Sequence, residues 1–379
     1  MLTADSTALH ASAVDAARDA VRAPGSRRLR LLHVVGPVTD EVFSFLGPAT
    51  RALANDGHDQ KIVVIDVPAH RHNVSRFEHH AAVVKVAGTP NPAVVWKRMF
   101  GACVAEFAHP DLGAVHVHGM LPFMVASLGL RASGVKAPVV FSPHGSRSLG
   151  KLRFAGNLAM LASRAVTRTS AMVTMPGEAD AIGKWDAKDV VESPVGDAFF
   201  LVPRQEAEAP LIVTGGRHGS IRSTEVFTQL AVLLSGEELG LRFDWLGSVP
   251  EVAQQPLQAA GVTVSPIVGD EACAAHLATG WMYVAPWSTR GFPLFLAQAM
   301  AAGLPCVALD CEQHRQLIQD GVTGFLCASE QEMVRQIAGL VDNEALRKKM
   351  GIAARAVAEA RFSEANFTDK LLTAYSTRW

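Results

Sequence analysis

The stretch Arg290 to Pro305, RGFPLFLAQAMAAGLP, lies between two short apolar segments typical of buried strands. It predicts a helix that begins at Phe292 or Pro293 and ends at Gly303, because proline suits a first helical turn and glycine commonly follows a last one. A helix between two apolar strands indicates a parallel α/β unit. The N-terminus of such a helix favours a bound phosphate group.

The same alternation of short apolar strands and helix-length segments extends along the chain from Leu29, with one pause at Leu201 to Pro210. Apolar strands separated by helices predict parallel sheets covered on both faces. We therefore predict an α/β protein with two doubly wound, Rossmann-like domains. The predicted parts are a mobile extension (1–28), an N-terminal domain (29–203), a C-terminal domain (204–360) and a final helix that returns to the N-terminal domain (361–379). The predicted strands are 31–35, 61–67, 81–86, 115–118, 139–141, 171–174, 211–214, 243–246, 262–264, 282–284 and 306–308.

The composition argues against a polyelectrolyte-binding, membrane-spanning or secreted protein. The chain has 379 residues, 49% of them apolar, and a formal net charge of −1, so it is long enough for two cores and does not indicate a polyelectrolyte partner. Its five cysteines include no Cys-x-x-Cys pair, which favours reduced thiols in a cytoplasmic protein. No apolar run approaches the roughly 18 residues that span a bilayer, and the first 28 residues lack the apolar core of a secretory signal.

Glycines and two cations follow the predicted strand 211–214. The run Gly215-Gly216-Arg217-His218-Gly219-Ser220-Ile221-Arg222 lets the backbone approach a ligand closely. Arg217 and Arg222 are five residues apart and can flank a diphosphate. A basic surface turn explains the same spacing equally well.

Two segments resemble one family of enzymes. Gln298 to Pro305 resembles the helix-and-turn EAMAAGLP of the GT-B glycosyltransferases, in particular the family-4-like (group 1) retaining type, and Gly216-Arg217 with Arg222 resembles that family's glycine-arginine element. The resemblance implies a GT-B fold whose two domains face each other across a cleft. It also implies transfer of a sugar from a nucleotide donor to a saccharide or lipid-linked glycan in envelope or exopolysaccharide assembly. Retention of anomeric configuration, and neither metal nor cofactor, are implied as well.

The resemblance also assigns roles to residues. Arg217 and Arg222 would neutralise the departing nucleoside diphosphate. His144, in a run that resembles the family's Thr-Pro-His-Gly loop, would polarise a hydroxyl or stabilise charge near the anomeric carbon; a lone histidine is as often structural. The acceptor side would include Gly36 and His118. The donor-binding residues would be Gly215, Gly216, Gly247, Arg290, Gly291, Phe292, Leu294 and Gln298.

The chain departs from the family at three acidic positions. Arg290 and Gln298 stand where the family has two glutamates eight positions apart, and Gln316 stands where it has a third. Three interpretations follow: an acidic donor sugar held by Arg290, an active enzyme that uses other groups, or an inactive copy. The competing classes are therefore a non-catalytic GT-B binding subunit and a sugar-nucleotide epimerase of the same fold.

The strand His116-Val117-His118 places both imidazoles on one face, where a two-histidine metal site is conceivable. We expect no metal, because no carboxylate occurs in the fifty residues that follow.

One charge feature is independent of the family. Leu112 to Gly177 contains no acidic residue, whereas residues 131–168 carry seven cations in a partly amphipathic pattern. This stretch favours an anionic membrane surface or a lipid-diphosphate acceptor, and an ordinary solvated basic helix explains it equally well. We expect a cytoplasmic protein, peripheral at the inner face of the plasma membrane if this surface binds lipid. The aromatic residues of a nucleic-acid platform are missing, so we expect no nucleic-acid partner.

Overall fold

The computed structural model describes residues 28–144, 168–181, 188–237, 239–266, 269–288 and 291–377, without the side chains of residues 180, 181, 217 and 218. The proposed N-terminal extension up to residue 27, the centre of the basic stretch (145–167), Arg290 and the side chain of Arg217 therefore lie outside the described residues. The chain forms two compact units, one of Met1–Val191 with Thr368–Trp379 and one of Glu192–Phe367.

The described part of the first unit contains a seven-stranded sheet in the spatial order β3-β2-β1-β4-β5-β6-β7. Every neighbouring pair of these strands is parallel. The strands are β1 (Arg30–Val35), β2 (Asp59–Asp66), β3 (Ala82–Ala87), β4 (Leu112–His118), β5 (Val139–Ser142), β6 (Thr169–Val173) and β7 (Lys188–Val190). The helices of this unit are α1 (Asp40–Asn55), α2 (Arg71–Ser75), α3 (Pro92–Phe107), α4 (Met120–Ser133) and α5 (Pro176–Ala181), with a 3₁₀ turn at Pro68–His70.

The two faces of the first sheet differ in polarity. Successive side chains of a strand point to opposite faces. Leu32, Val34, Val115 and Val117 join one apolar core with α3 and α4. The intervening positions of β1 and β4 point to the face that α1 covers, and there they place imidazoles among apolar side chains.

The described part of the second unit contains a six-stranded sheet in the order β10-β9-β8-β11-β12-β13, which is also parallel throughout. Both sheets thus follow the strand order of doubly wound folds. The strands are β8 (Leu211–His218), β9 (Arg242–Ser248), β10 (Val262–Ser265), β11 (Met282–Ala285), β12 (Cys306–Leu309) and β13 (Gly324–Cys327). The helices are α6 (Asp197–Leu201), α7 (Ile221–Ser235), α8 (Glu251–Ala259), α9 (Asp270–Thr279), α10 (Leu294–Ala301), α11 (Glu312–Arg315), α12 (Glu330–Asp342), α13 (Glu344–Phe362) and α14 (Glu364–Ser376), and α14 continues into the first unit.

The prediction of two parallel, doubly wound α/β sheets is confirmed, and each predicted strand corresponds to an observed one. The sequence pattern missed β7 and β13, which are only three and four residues long, and β7 contains two charged residues. It also ended β8 too early, because the strand continues through the glycines to His218 and pairs with Ser248.

The two units divide after Val191 and after Phe367, whereas the sequence placed boundaries after residues 203 and 360. Residues 192–203 group with the second unit because they are bonded to it. The Val195 N–H donates to the Phe362 carbonyl at 2.8 Å, and Glu192 forms an ion pair with Arg361.

Residues Leu201 to Pro210, where the alternation of strands and helices is interrupted, are bonded firmly to the second unit. Arg204 donates to the carbonyls of Ala278 and Gly280 at 2.9 and 2.7 Å. Glu206 pairs with the buried Arg347 at 3.2 Å. The polar composition of this segment therefore reflects these bonds to neighbouring backbone and side chains.

No helix among the described residues is long and apolar enough to cross a membrane.

Candidate active site

The two residues predicted for the acceptor side, Gly36 and His118, lie at the same edge of the first sheet as the predicted catalytic residue His144. Gly36 follows β1, His118 ends β4 and His144 lies two residues beyond β5, and these three strands are neighbours. Val35 pairs with His118, and His118 pairs with Ser142. Ligands of parallel sheets bind beyond the carboxyl ends of the strands, which is where this group lies.

His144 has an unusual backbone. Among the described residues it is the only non-glycine with positive φ, at 45°. Its Nε2 lies 2.9 Å from His118 Nδ1, and its ring packs edge-on against Phe45 with the centroids 5.5 Å apart. Burial lowers the pKa of His144 to about 4, so the imidazole is neutral at pH 7. Strained backbone of this kind concentrates at functional sites.

A row of buried imidazoles continues from His144 into the sheet. His118 Nε2 lies 3.3 Å from His33 Nδ1, and His33 Nε2 lies 3.2 Å from Gln60 Oε1. Burial lowers the pKa of His33 to about 4. Burial and the neighbouring histidines also lower the pKa of His118 well below its ordinary value. We call His144, His118, His33 and Gln60 the histidine row.

His116 lies beside this row and has its own partners. Its Nδ1 is 2.6 Å from the hydroxyl of Tyr375 on α14, and its Nε2 is 2.9 Å from Ser142 Oγ. The Ser142 hydroxyl in turn donates to the Met172 carbonyl at 2.8 Å. The end of the last helix thus contributes a polar group to the face of the first sheet.

The spacing of His33, His116 and His118 would suit a metal ion, since one ring nitrogen of each lies within 4.8 Å of the others. Their ring nitrogens are hydrogen-bonded to other side chains of the protein, as described above. Each ring nitrogen of these three histidines has a hydrogen-bond partner in the protein, so the cluster needs no ion to satisfy it. We therefore interpret the cluster as a hydrogen-bond network.

Sequence reasoning identified His118, His116 and His144 but missed His33, Gln60 and Tyr375. His33 carried a usable signal, because it is the polar residue inside the apolar strand Leu31-Leu32-His33-Val34-Val35. Tyr375 carried none, because 259 positions separate it from His116.

The loop after β1 is fixed by hydrogen bonds from Asn73 on α2. The side-chain amide of Asn73 is buried and donates to the Val38 carbonyl at 3.1 Å and to Asp40 Oδ1 at 2.8 Å. These two hydrogen bonds fix the segment between β1 and α1.

In the second unit, the predicted donor-binding glycines lie at the carboxyl ends of three adjacent strands. Gly215 and Gly216 lie in the last half of β8, Gly247 near the end of β9, and Gly291 beyond β11. Gly215 has a φ of 150°, and a Cβ there would lie 2.1 Å from the Leu246 carbonyl oxygen. Gly215 is thus required by the close approach of β8 to β9, whereas a Cβ on Gly216 would meet nothing within 4 Å.

The N-terminus of α7 lies directly after β8. Ser220 caps it, and the Ser220 hydroxyl accepts from the Ser223 N–H at 3.1 Å. The first amides of a helix, here those of Ile221 and Arg222, have no partner within the helix. The Arg222 side chain is exposed in this first turn, so cation, amides and helix dipole favour an anion at the same place.

The helix predicted from Phe292 or Pro293 is α10, which begins at Leu294 and is followed by Gly303 with a φ of 80°. Gln298 is only 5% exposed. Phe292 packs its ring against Phe362 at 5.4 Å, so this side chain serves the core of the unit.

The fold of this chain is similar to that of several solved glycosyltransferase structures. The lipopolysaccharide outer core galactosyltransferase WaaB, in its apo form, has a TM-score of 0.72 at 13% identity, with 93% of this chain and 100% of that chain covered. HepE of Anabaena in complex with UDP has a TM-score of 0.75 at 13% identity, with the same coverage. The fold is that of the GT-B glycosyltransferases.

Sequence similarity to known proteins lies in the second unit. Residues 198–343 match the family of glycosyl transferases group 1. An uncharacterised glycosyltransferase of Haemophilus influenzae is 37% identical over 81 residues, 21% of this chain and 23% of that protein. Phosphatidyl-myo-inositol mannosyltransferase of Mycobacterium leprae is 30% identical over 113 residues, 29% of this chain and 30% of that protein. These matches span less than a third of the curated relatives, and they show that a segment of the second unit is similar to the group 1 glycosyl transferases.

Proposed function

We propose that this protein is a glycosyltransferase that moves a sugar from a nucleotide-sugar donor to a hydroxyl of a saccharide or lipid-linked glycan in cell-envelope or exopolysaccharide assembly. The observation that carries the proposal is the family match over residues 198–343, because this range includes the ends of β8, β9 and β11. The complex of HepE with UDP and the lipid substrate in the name of the mannosyltransferase support the donor and acceptor classes.

The proposed diphosphate site is the first turn of α7. Charge that develops on the departing diphosphate would be stabilised by Arg222, by the free amides of Ile221 and Arg222, and by Arg217 as the family resemblance implies. Stabilisation of developing charge by such pre-positioned groups is commonly the largest contribution to catalysis. No acidic side chain is required for this step.

The proposed ribose contact is Gln298. The residue is only 5% exposed in α10, and its amide can both donate to and accept from a hydroxyl. A neutral amide binds a hydroxyl more weakly than a carboxylate does. We therefore expect weaker nucleotide binding than in an enzyme with glutamate at this position.

The proposed acceptor-side group is His144. Because its imidazole is neutral at pH 7, it would act through a hydrogen bond to a hydroxyl and not as a cation. Retention of configuration, and transfer without a metal or cofactor, are parts of the proposal carried by the family resemblance.

The donor site is tested with purified protein against UDP, GDP and ADP sugars, including uronates, by thermal shift and by product formation. We expect Arg222→Ala to weaken nucleotide binding about tenfold, since it removes one charge-assisted hydrogen bond. Arg335→Ala, which removes an exposed arginine from α12, should leave binding unchanged. Equal binding by wild type and Arg222→Ala would show that the diphosphate lies elsewhere.

The three substituted acidic positions favour a second candidate, a binding subunit that does not turn over its ligand. Such a protein would bind a nucleotide but neither transfer nor hydrolyse any donor. An epimerase of the same fold would instead convert the donor without any acceptor. If Arg290 binds an acidic sugar, a preference for UDP-glucuronate should be lost in Arg290→Glu, and indifference to the sugar carboxylate would contradict that interpretation.

A further inference from the structure

The hydrogen-bond directions in the histidine row are fixed at its inner end. Gln60 Nε2 lies 2.7 Å from the backbone carbonyl of Thr50, which can only accept. The amide nitrogen of Gln60 must therefore face Thr50, and its Oε1 must face His33. The opposite orientation of this amide would bring two acceptor oxygens together in a buried place.

The orientation of Gln60 fixes which ring nitrogen donates and which accepts at every histidine in the row, because a neutral imidazole carries one N–H and one lone pair. Gln60 Oε1 accepts from His33 Nε2–H, so His33 Nδ1 presents its lone pair to His118. His118 then donates from Nε2, and its Nδ1 accepts from His144 Nε2–H. Each proton lies on Nε2, and the position of each is set by the residue before it.

The outer end of the histidine row is the lone pair on His144 Nδ1. With its proton on Nε2, His144 has an unprotonated Nδ1, and no described residue donates a hydrogen bond to that atom. His144 is partly exposed and lies beyond the carboxyl end of β5, next to the ends of β1 and β4.

We propose that Gln60, His33 and His118 are positioning residues that hold His144 as the Nε2–H tautomer, so that Nδ1 accepts a hydrogen bond from the hydroxyl of the acceptor substrate. The inference rests on the proposed function for the identity of that hydroxyl. The tautomer itself is a property of the ligand-free protein.

The branch through His116 provides a matched control. Tyr375 donates to His116 Nδ1, His116 Nε2–H donates to Ser142, and Ser142 donates to the Met172 carbonyl. This branch is equally buried and lies on the same face of the sheet, but its hydrogen bonds do not include His144. A substitution in it should disturb packing to a similar degree without changing the tautomer of His144.

The direct test is nuclear magnetic resonance of the full chain with ¹⁵N-labelled histidine, with the His144 signals assigned by their loss in His144→Asn. Asparagine tolerates the left-handed backbone that position 144 requires. We expect couplings across the hydrogen bonds between His144 and His118 and between His118 and His33, with the proton on Nε2 in each. A proton on His144 Nδ1, or no coupling between these rings, would overturn the proposal.

Gln60→Met tests the origin of the direction. Methionine is close in size but offers His33 no strong acceptor, so the row avoids a buried, unsatisfied N–H by reversing. We expect the proton of His144 to move from Nε2 to Nδ1 in Gln60→Met and to stay on Nε2 in Ser142→Ala. An unchanged His144 in Gln60→Met would refute the role of Gln60.

Activity gives a separate readout. With a sugar nucleotide that the wild type uses, Gln60→Met should lower kcat about tenfold, the equivalent of one hydrogen bond, with the KM for the donor unchanged. An unaltered kcat after reversal of the tautomer would refute the positioning role. If the wild type turns over no donor, the proposed function fails, whereas the spectra still decide the direction of the row.

Discussion

Acidification should destabilise this protein through His33. The side chain is fully buried, and burial lowers its pKa from an ordinary 6.5 to about 4. Since the unfolded chain takes up this proton at a higher pH than the folded chain, the stabilisation is complete above pH 6.5 and is lost as the pH falls toward 4. A difference of about 2.5 pH units, at about 1.4 kcal/mol each, corresponds to roughly 3.5 kcal/mol of unfolding free energy.

The measurement compares wild type with His33→Gln in urea unfolding at pH 7 and at pH 4.5. Glutamine can hydrogen-bond but does not titrate, so the ionisable groups that do not interact with His33 cancel in the difference between the two proteins. At pH 7 the variant should be less stable by about 1–2 kcal/mol, because hydrogen bonds in the row are lost. Between pH 7 and 4.5 the wild type should lose roughly 2–3 kcal/mol more than the variant.

A difference between the two proteins that stays constant within about 0.5 kcal/mol across this range would contradict the argument, since additive effects agree to about that precision. It would mean that His33 titrates in the folded protein with the pKa that it has in the unfolded chain. A difference that changes in the opposite direction would mean that the folded protein raises the pKa of His33.

Two further predictions concern backbone and hydrogen bonding. Gly215→Ala should lower the unfolding free energy by about 3 kcal/mol or more, because the added Cβ would meet the Leu246 carbonyl. Gly216→Ala is the control and should leave the fold intact, because a Cβ there meets nothing within 4 Å. Chemical denaturation compares the two variants, and equal stability would contradict the close approach of the strands. Tyr375→Phe should lower the unfolding free energy by about 1 kcal/mol, because His116 Nδ1 loses its hydrogen-bond donor. The control is Ser376→Ala, on the exposed side of α14. A phenylalanine variant as stable as this control in chemical denaturation would show that the hydrogen bond contributes nothing.

The architecture could be predicted from the sequence because it depends on local patterns. Runs such as Leu211-Ile212-Val213 are apolar on both faces, and only a covered parallel strand uses such a run repeatedly between helices. The helix after Phe292 was predictable because a proline and a glycine mark its two ends. Short strands such as Lys188–Val190 were not, because three half-buried residues carry no recognisable period.

The candidate site could be predicted only in part. His118 was proposed because it ends an apolar strand, where ligands of parallel sheets bind, and His144 because its run resembles the Thr-Pro-His-Gly loop of a known family. Gly215 was expected to approach a ligand, whereas its missing side chain makes room for the neighbouring strand, and a sequence does not distinguish these two uses of a glycine. The partner of His116 depends on which distant segment covers the sheet, so no local pattern could identify Tyr375.

The place of Tyr375 near the end of the sequence has a consequence for synthesis. The sheet that carries His116 is complete in the growing chain before residue 192, but the hydroxyl that donates to His116 is made only after residues 192–367. At 5–20 residues per second, the ribosome needs roughly 10 to 35 s for that interval. During this time the nascent first unit has a buried imidazole whose donor has not yet been made. The first unit therefore reaches its final hydrogen bonding only after the second unit has been translated.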